Sequence, residues 1–333
     1  MKTRKTLAFL LAVLMLAGIF SGCAAKAPAE EVKQEPQPVS EQESVPAEEV
    51  PAPQDETVIQ PVTITDMTGR EVVLEKPASR VVALTAADCE ILYALGGGDL
   101  LVGRGEYCDK PAEVLNVPSV ESGYETNIEQ IIALQPDVLL MGSMNQPKEQ
   151  VDALENAGIH VVVSCANDIA GTYEAISMIG TLLGKQDEAD ALVTEMEASF
   201  AALAAKVTGD STKTVYFEVS PLEWGLWTAG TGTFMDEIAS MLGLENCFSD
   251  VSGWGEISEE QVLERNPDYI VTISMYYGEG PTPVEEIMSR PGWDAVSAVA
   301  NGKLLNLQDD ELSRPCPRLV DGAEALYEMV YGE

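Results

Sequence analysis

The sequence predicts an α/β protein: two Rossmann-like α/β lobes joined by a single long α-helix. Three observations carry this prediction. The segment Glu129-Gln130-Ile131-Ile132-Ala133-Leu134-Gln135-Pro136-Asp137-Val138-Leu139-Leu140 returns as Glu260-Gln261-Val262-Leu263-Glu264-Arg265-Asn266-Pro267-Asp268-Tyr269-Ile270-Val271. Each copy places apolar residues at helical spacing, stops at Pro, and continues in a β-rich run that reads as a buried strand. Elsewhere, strand-like and helix-like stretches alternate, as in a mostly parallel sheet covered on both faces. Between the two repeats, Thr172 to Val207 contains no proline and sets Ile176, Ile179, Leu182, Leu183, Ala189, Leu192, Val193, Met196 and Phe200 at a helical period.

In chain order, Lys2, Arg4 and Lys5 precede an apolar stretch from Leu7 to Phe20 and then Ser21-Gly22-Cys23. A basic start, a short apolar run and small residues before a cleavage point make residues 1–22 an export signal. Cys23 after Ser-Gly resembles the lipobox of bacterial lipoproteins, whose Cys becomes the lipidated N-terminus, although Phe20 stands where Leu is usual. The alternatives are an uncleaved anchor or a soluble secreted form. Residues 23–60 hold Ala, Pro, Glu, Gln and Val without an aromatic, a composition that reads as a disordered acidic tether. The N-terminal lobe is placed at 61–170. Val62 to Leu74 reads as two strands around a turn, Arg80 to Leu84 as a buried strand, and Asp88 to Leu95 as a helix ended by glycines. Leu101-Val102-Gly103, Val138 to Met141 and His160 to Ser164 continue as strands, with Glu129 to Leu134 and Glu149 to Ala157 as helices. The connecting helix is placed at 171–208 and would run ~54 Å at 1.5 Å per residue. Gly180 and Gly184 weaken it without breaking its period; a break near Lys185-Gln186-Asp187 is the alternative. Thr214 to Val219 opens the C-terminal lobe, 209–333.

The formal charge is −36. Setting aside the signal's three positive charges and the tether's net seven negative ones leaves −32 on residues 61–333. Phosphate-rich partners need Lys and Arg, so nucleic acid and anionic lipid surfaces are excluded as partners. Five cysteines follow Cys23 (Cys89, Cys108, Cys165, Cys247, Cys316) with no C-x-x-C pattern, and buried free thiols are the expectation in an α/β chain of this size, with one intramolecular disulfide as the alternative. His160, the one histidine, sits at a turn entering a strand and reads as structural. A metal centre of several imidazoles and a Ser-His-Asp apparatus therefore find no support. Gly96-Gly97-Gly98 lacks a Walker lysine, and Gly103-Arg104-Gly105 and Gly230-Thr231-Gly232 lack the third glycine of a dinucleotide loop. No catalytic residue, resident cofactor or metal site is predicted, and the chain is not read as an enzyme.

Three stretches together resemble a known family. They are Ile64-Thr65-Asp66 through Gly69-Arg70, with Arg80 to Leu84, Glu90-Ile91-Leu92-Tyr93-Ala94-Leu95-Gly96 and Leu101-Val102-Gly103; Asn127-Ile128-Glu129 with Pro136-Asp137; and Ser258 and Glu260 with Asn266-Pro267-Asp268, followed by Arg314-Pro315 and Pro317-Arg318. The set is similar to the substrate-binding proteins of ABC importers for iron chelates, haem and cobalamin, the long-helix class, across residues 61–333. The resemblance implies a ligand cleft between the lobes and one Glu per lobe docking on a permease dimer that works with its ATPase. Glu129 and Glu260 match those docking positions, with Glu259 as the competitor for the second. The alternative for each is a helix-capping acid in a first turn.

In such a fold ligands sit where loops leave the carboxyl ends of strands. That selects Thr85 to Asp88, Glu106 to Asp109, Gly142 to Asn145, Trp224 to Trp227, Trp254 and Met275 to Tyr277. The candidate ligand-binding residues are Tyr107, Asp109, Met144, Asn145, Trp224, Trp227, Trp254, Tyr276 and Arg314. Flat aromatic side chains with a polar edge suit a macrocycle or aromatic chelate, while Trp293 reads as core. Tyr107-Cys108-Asp109-Lys110-Pro111 resembles the Tyr-x-Asp-x-Pro stretch of cobalamin-type members, which favours a corrinoid over a ferric siderophore or haem. Arg318 is read either as a contact for ligand carboxylates or as the partner of a carboxylate in its own lobe. The resulting expectation is a monomeric extracytoplasmic lipoprotein, anchored through Cys23 to the outer face of the cell membrane, that captures a metal chelate for an importer. The competing readings are an extracytoplasmic enzyme on a two-lobed scaffold and a scavenging or sensory receptor without a permease.

Overall fold

A computed structural model describes residues 61–122, 126–142, 148–207, 212–276, 278–308 and 311–332. Cys23, the tether, Met144 and Asn145 lie outside the described residues. The compact unit of the chain runs from Thr57 to Glu333, and it is built around two separate sheets.

The first sheet follows a hairpin, β1 (Val62–Thr65) and β2 (Glu71–Leu74), paired antiparallel. Asp66 ties the hairpin turn: its carboxylate accepts from the Thr68 and Arg70 amides and from the Val163 amide of the sheet. The sheet contains β3 (Val81–Ala83), β4 (Leu101–Gly105), β5 (Ser119–Val120), β6 (Val138–Met141) and β7 (His160–Val163), ordered β5-β4-β3-β6-β7 and wholly parallel. Helices α1 (Ala86–Ala94), α2 (Ile128–Leu134) and α3 (Lys148–Asn156) join them. This is a doubly wound order with its switch point between β3 and β6, where loops leaving neighbouring strands part and open a crevice.

The crossing to the second sheet is made by α4 (Ile169–Leu183) and α5 (Gln186–Ala204). The single rod expected over 171–208 is therefore divided. Gly184 takes a left-handed conformation at φ +66°, which ends α4. Gly180 lets the two helices touch: a Cβ there would lie 2.5 Å from the Ala189 Cβ. The apolar period runs through the break because both helices bury one face in the same core, which is why periodicity alone did not reveal it.

The second sheet contains β8 (Thr214–Ser220), β9 (Trp227–Ala229), β10 (Glu245–Asn246), β11 (Trp254–Glu256), β12 (Tyr269–Thr272) and β13 (Leu304–Asn306). Its path is β11-β9-β8-β12-β13, with β10 beside the start of β8. The strands β8, β10, β12 and β13 are parallel; β9 and β11 are antiparallel to their neighbours. Helices α6 (Phe234–Met241), α7 (Glu259–Arg265), α8 (Pro283–Ser289), α9 (Ser297–Ala300) and α10 (Leu319–Tyr331) complete the lobe. No helix among the described residues is long and apolar enough to cross a membrane.

The repeat read from the sequence is a structural repeat. In both copies a helix of seven residues ends on a left-handed residue, Gln135 (φ 49°) or Asn266 (φ 47°), directly before Pro. The Asp after Pro then fixes the entry of the central strand pair. Asp137 accepts from the Ser79 and Arg80 amides ahead of β3, and Asp268 accepts from the Thr214 amide at the start of β8. The strands that follow, β6 and β12, are buried along their whole length and lie inside their sheets.

Candidate functional site

Glu129 and Glu260 occupy equivalent places. Each is the second residue of its helix, behind a side-chain cap from Asn127 or Ser258 onto the amide of the following Gln130 or Gln261. Both glutamates are exposed. The competitor Glu259 is turned inward, where its carboxylate accepts from the buried Trp293 indole at 2.9 Å. Trp293 is fully buried, as expected of a core residue. Glu260 is held low by hydrogen bonds from its own amide and from Ser258.

Tyr107 and Trp224 follow the carboxyl ends of β4 and β8, while Trp227 and Trp254 open β9 and β11. Tyr107, two residues past β4, is 71% exposed, and Trp224, in the turn after β8, is 77% exposed. Trp227 on β9 and Trp254 on β11 are 40% and 36% exposed. The register Trp254↔Ala229 and Glu256↔Trp227 puts both indoles on one face of the ribbon. Trp254 stands where the lobes meet: its indole donates to Asn167 Oδ1 at 3.3 Å, and its ring sits edge-on to Phe234. Beside it the Phe234 amide donates to the Asn167 carbonyl, and the Ile169 amide to Glu237. A cavity of about 720 Å³ opens between the ends of β8 and β12, lined by Ser220, Trp224, Ser274, Met275, Tyr276 and Glu286 among others. That volume is in the range of small-molecule sites. Trp227 and Trp254 lie outside this cavity, and the Tyr276 hydroxyl donates to the Gly280 carbonyl.

Asp109 and Arg314, predicted separately as ligand contacts, are found bound to each other at 2.7 Å. Arg314 also pairs with Glu90 on α1 at 2.9 Å, and Arg318 pairs with the same carboxylate at 2.6 Å. Cys316 donates to it from between the two arginines. Arg318, read as a contact for ligand carboxylates or for a carboxylate of its own lobe, binds Glu90 of the first lobe. The reason is the chain's path, since the segment after β13 crosses to α1 before α10 begins. Burial pushes Glu90 up, but hydrogen bonds from Arg318 and Arg314 outweigh it and hold the carboxyl below its ordinary range. Glu90 was not singled out from sequence as a site residue. An acid inside the apolar run Ile91-Leu92 was the available signal.

The first turn of α1 holds a second buried acid. Asp88 accepts a 2.5 Å hydrogen bond from the Thr85 hydroxyl, while its other oxygen is buried without a partner. Burial raises it to about 6, against the hydrogen bond from Thr85. In the second lobe the corresponding buried charge is paired. Glu218 on β8 takes both Arg290 guanidinium nitrogens at 2.6 and 3.0 Å, and Arg290 lies over the Trp293 ring. Among the described residues no cluster of three His, Cys, Asp or Glu side chains is placed to hold a metal.

Comparison with known proteins agrees with this two-sheet plan. The model of the family described as periplasmic binding protein matches residues 81–311. An uncharacterized ABC transporter substrate-binding lipoprotein of Bacillus subtilis is 34% identical over 83% of this chain and 87% of its own. A vitamin B12-binding protein of Pectobacterium carotovorum is 26% identical over 74% of this chain and 86% of its own. The crystal structure of a possible iron-binding (periplasmic solute-binding) protein from Staphylococcus epidermidis superposes with TM-score 0.66 at 30% identity, covering 77% of this chain and all of that one. With two α/β lobes, a duplicated helix–Pro-Asp–strand unit and a family match across both, the chain belongs to the periplasmic binding protein family.

Proposed function

We propose that the chain is the substrate-binding component of an ABC importer, held at the outer face of the membrane through a lipid on Cys23. Its cargo is a flat metal chelate, a corrinoid ahead of a ferric siderophore or haem. The observation that carries this reading is the exposed aromatic surface of both lobes: Tyr107 on one side, Trp224, Trp227 and Trp254 on the other. Large indole faces left in water contribute their burial energy only when something flat covers them. The likeness to a vitamin B12-binding protein favours the corrinoid within that class, and the likeness to an ABC transporter lipoprotein favours the importer and the anchor. Glu129 and Glu260, one on each lobe, are read as the docking acids for a dimeric permease. No catalytic step is assigned to the chain, which acts as a monomer.

The test is a titration of intrinsic tryptophan fluorescence with cobalamin, cobinamide, haemin and several ferric siderophores, corrected for inner-filter absorption. Saturable quenching at micromolar or lower cobalamin or cobinamide is the expected result, weakened roughly tenfold by Trp224→Ala. Saturation by haemin or a siderophore alone would move the cargo within the class. No saturation by any of them would overturn the chelate assignment.

A further inference from the structure

Two cysteines meet beneath the entrance loop of the first lobe. Cys89 lies in α1, and Cys108 lies in the turn after β4; both side chains are fully buried. Their sulfurs converge on one acceptor, the Ala83 carbonyl, at 3.7 and 3.9 Å, and Cys108 also approaches the Leu84 carbonyl at 3.8 Å. Each thiol shifts the other's titration, raising Cys89 and lowering Cys108. The remaining described cysteines stand apart from this pair. Cys316 points at Glu90, and Cys165 and Cys247 lie partly exposed in other parts of the fold.

A buried thiol is ordinarily inert, but two converging on one acceptor are one oxidation away from a covalent link, and proteins that work outside the cytoplasm fold where such links persist. We propose that Cys89 and Cys108 form an intramolecular disulfide in the exported protein, strapping α1 to the Tyr107–Lys110 turn. The oxidant is a small-molecule or protein disulfide met during folding, before the turn closes over the pair. The Cys108 thiolate attacks one sulfur of that disulfide, giving a mixed disulfide and releasing one thiolate. Cys89 then loses its proton and attacks the Cys108 sulfur, releasing the second. Two protein thiols and one external disulfide become one protein disulfide and two external thiols. The direction of these shifts favours this order: Cys89 lowers the Cys108 thiol, while Cys108 and burial raise Cys89.

The strap has a place in the architecture. Cys108 lies between Tyr107, which is highly exposed, and Asp109, which binds Arg314. Cys89 is followed directly by Glu90, the acid that receives both arginines. A covalent bond here would fix, on one rigid piece, an exposed aromatic and both carboxylates of the inter-lobe network.

The test uses the full chain exported with its own leader, quenched in acid, alkylated under denaturing conditions without reduction and mapped by peptide mass spectrometry. The expected result is a linked pair of peptides containing Cys89 and Cys108, with Cys165, Cys247 and Cys316 alkylated. Alkylation of both Cys89 and Cys108 after refolding in a glutathione redox buffer, or pairing of either with another cysteine, would overturn the proposal. Melting gives a second readout. Reductant should lower the melting temperature of the unmodified protein by on the order of 5 °C or more and leave the double variant Cys89→Ala/Cys108→Ala unmoved. A melting temperature of the unmodified protein that ignores reductant would equally overturn it.

Discussion

The two lobes share one device and differ almost everywhere else. Each has a short capped helix, a left-handed stop before Pro, an Asp that ties the entry of the neighbouring strand, and a buried central strand. At the opposite ends of the strands the likeness stops. The first lobe presents only parallel strands there, with an incompletely partnered buried acid and a pair of converging thiols. The second inserts an antiparallel ribbon carrying two tryptophans and neutralises its buried acid with Arg290. The helix–Pro-Asp–strand unit that carries Glu129 and Glu260 is duplicated, whereas the loops that carry the aromatics have diverged.

The largest effect expected from breaking this comparison is on delivery. Replacing Glu129 and Glu260 together by Ala should abolish uptake while leaving ligand affinity unchanged, and each single replacement should cost about tenfold or more. A single variant that costs everything while its counterpart costs nothing would show that the duplicated device is used on one lobe only.

A second test sets the buried acids against each other. Asp88 is raised from 3.8 to about 6, so between those values the folded protein keeps a proton that the unfolded chain has released. Its contribution to stability is present below about pH 4 and is lost as pH rises through 6. Asp88→Asn should flatten the unfolding free energy over that window by on the order of 2 to 3 kcal/mol, measured by urea midpoints at successive pH. An unchanged profile would locate the pH dependence elsewhere.

The smallest effect tests the likeness itself. Asp137→Ala and Asp268→Ala each remove a carboxylate that satisfies strand-entry amides, and each should cost about 1 to 3 kcal/mol by urea unfolding. Closely similar values are expected. A large difference would mean that the shared sequence hides unequal structural roles.

These same residues show what could be read in advance. Helix, Pro, Asp and strand are written within twelve consecutive residues, so the repeat was legible and with it the two-lobed fold. The division at Gly184 was less so, because an apolar period continues through a break when both helices line one core. The inter-lobe network was not legible as a unit. Glu90 and Arg314 lie 224 positions apart, and Asp109 and Arg314 lie 205 apart. Local pattern carries no information on such a pairing, so Asp109 and Arg314 were read separately as ligand contacts without the ion pair between them.

The late position of Arg314 and Arg318 has a consequence for how the molecule comes into being. Glu90 is buried in the first lobe, yet the charges that compensate it are synthesised 224 and 228 residues later. Until they arrive, the first lobe holds an acid that must stay hydrated or stay protonated, and either condition keeps α1 from settling. The N-terminal lobe is thus not finished first, as vectorial synthesis would suggest. Its completion waits for the segment that carries Arg314 and Arg318.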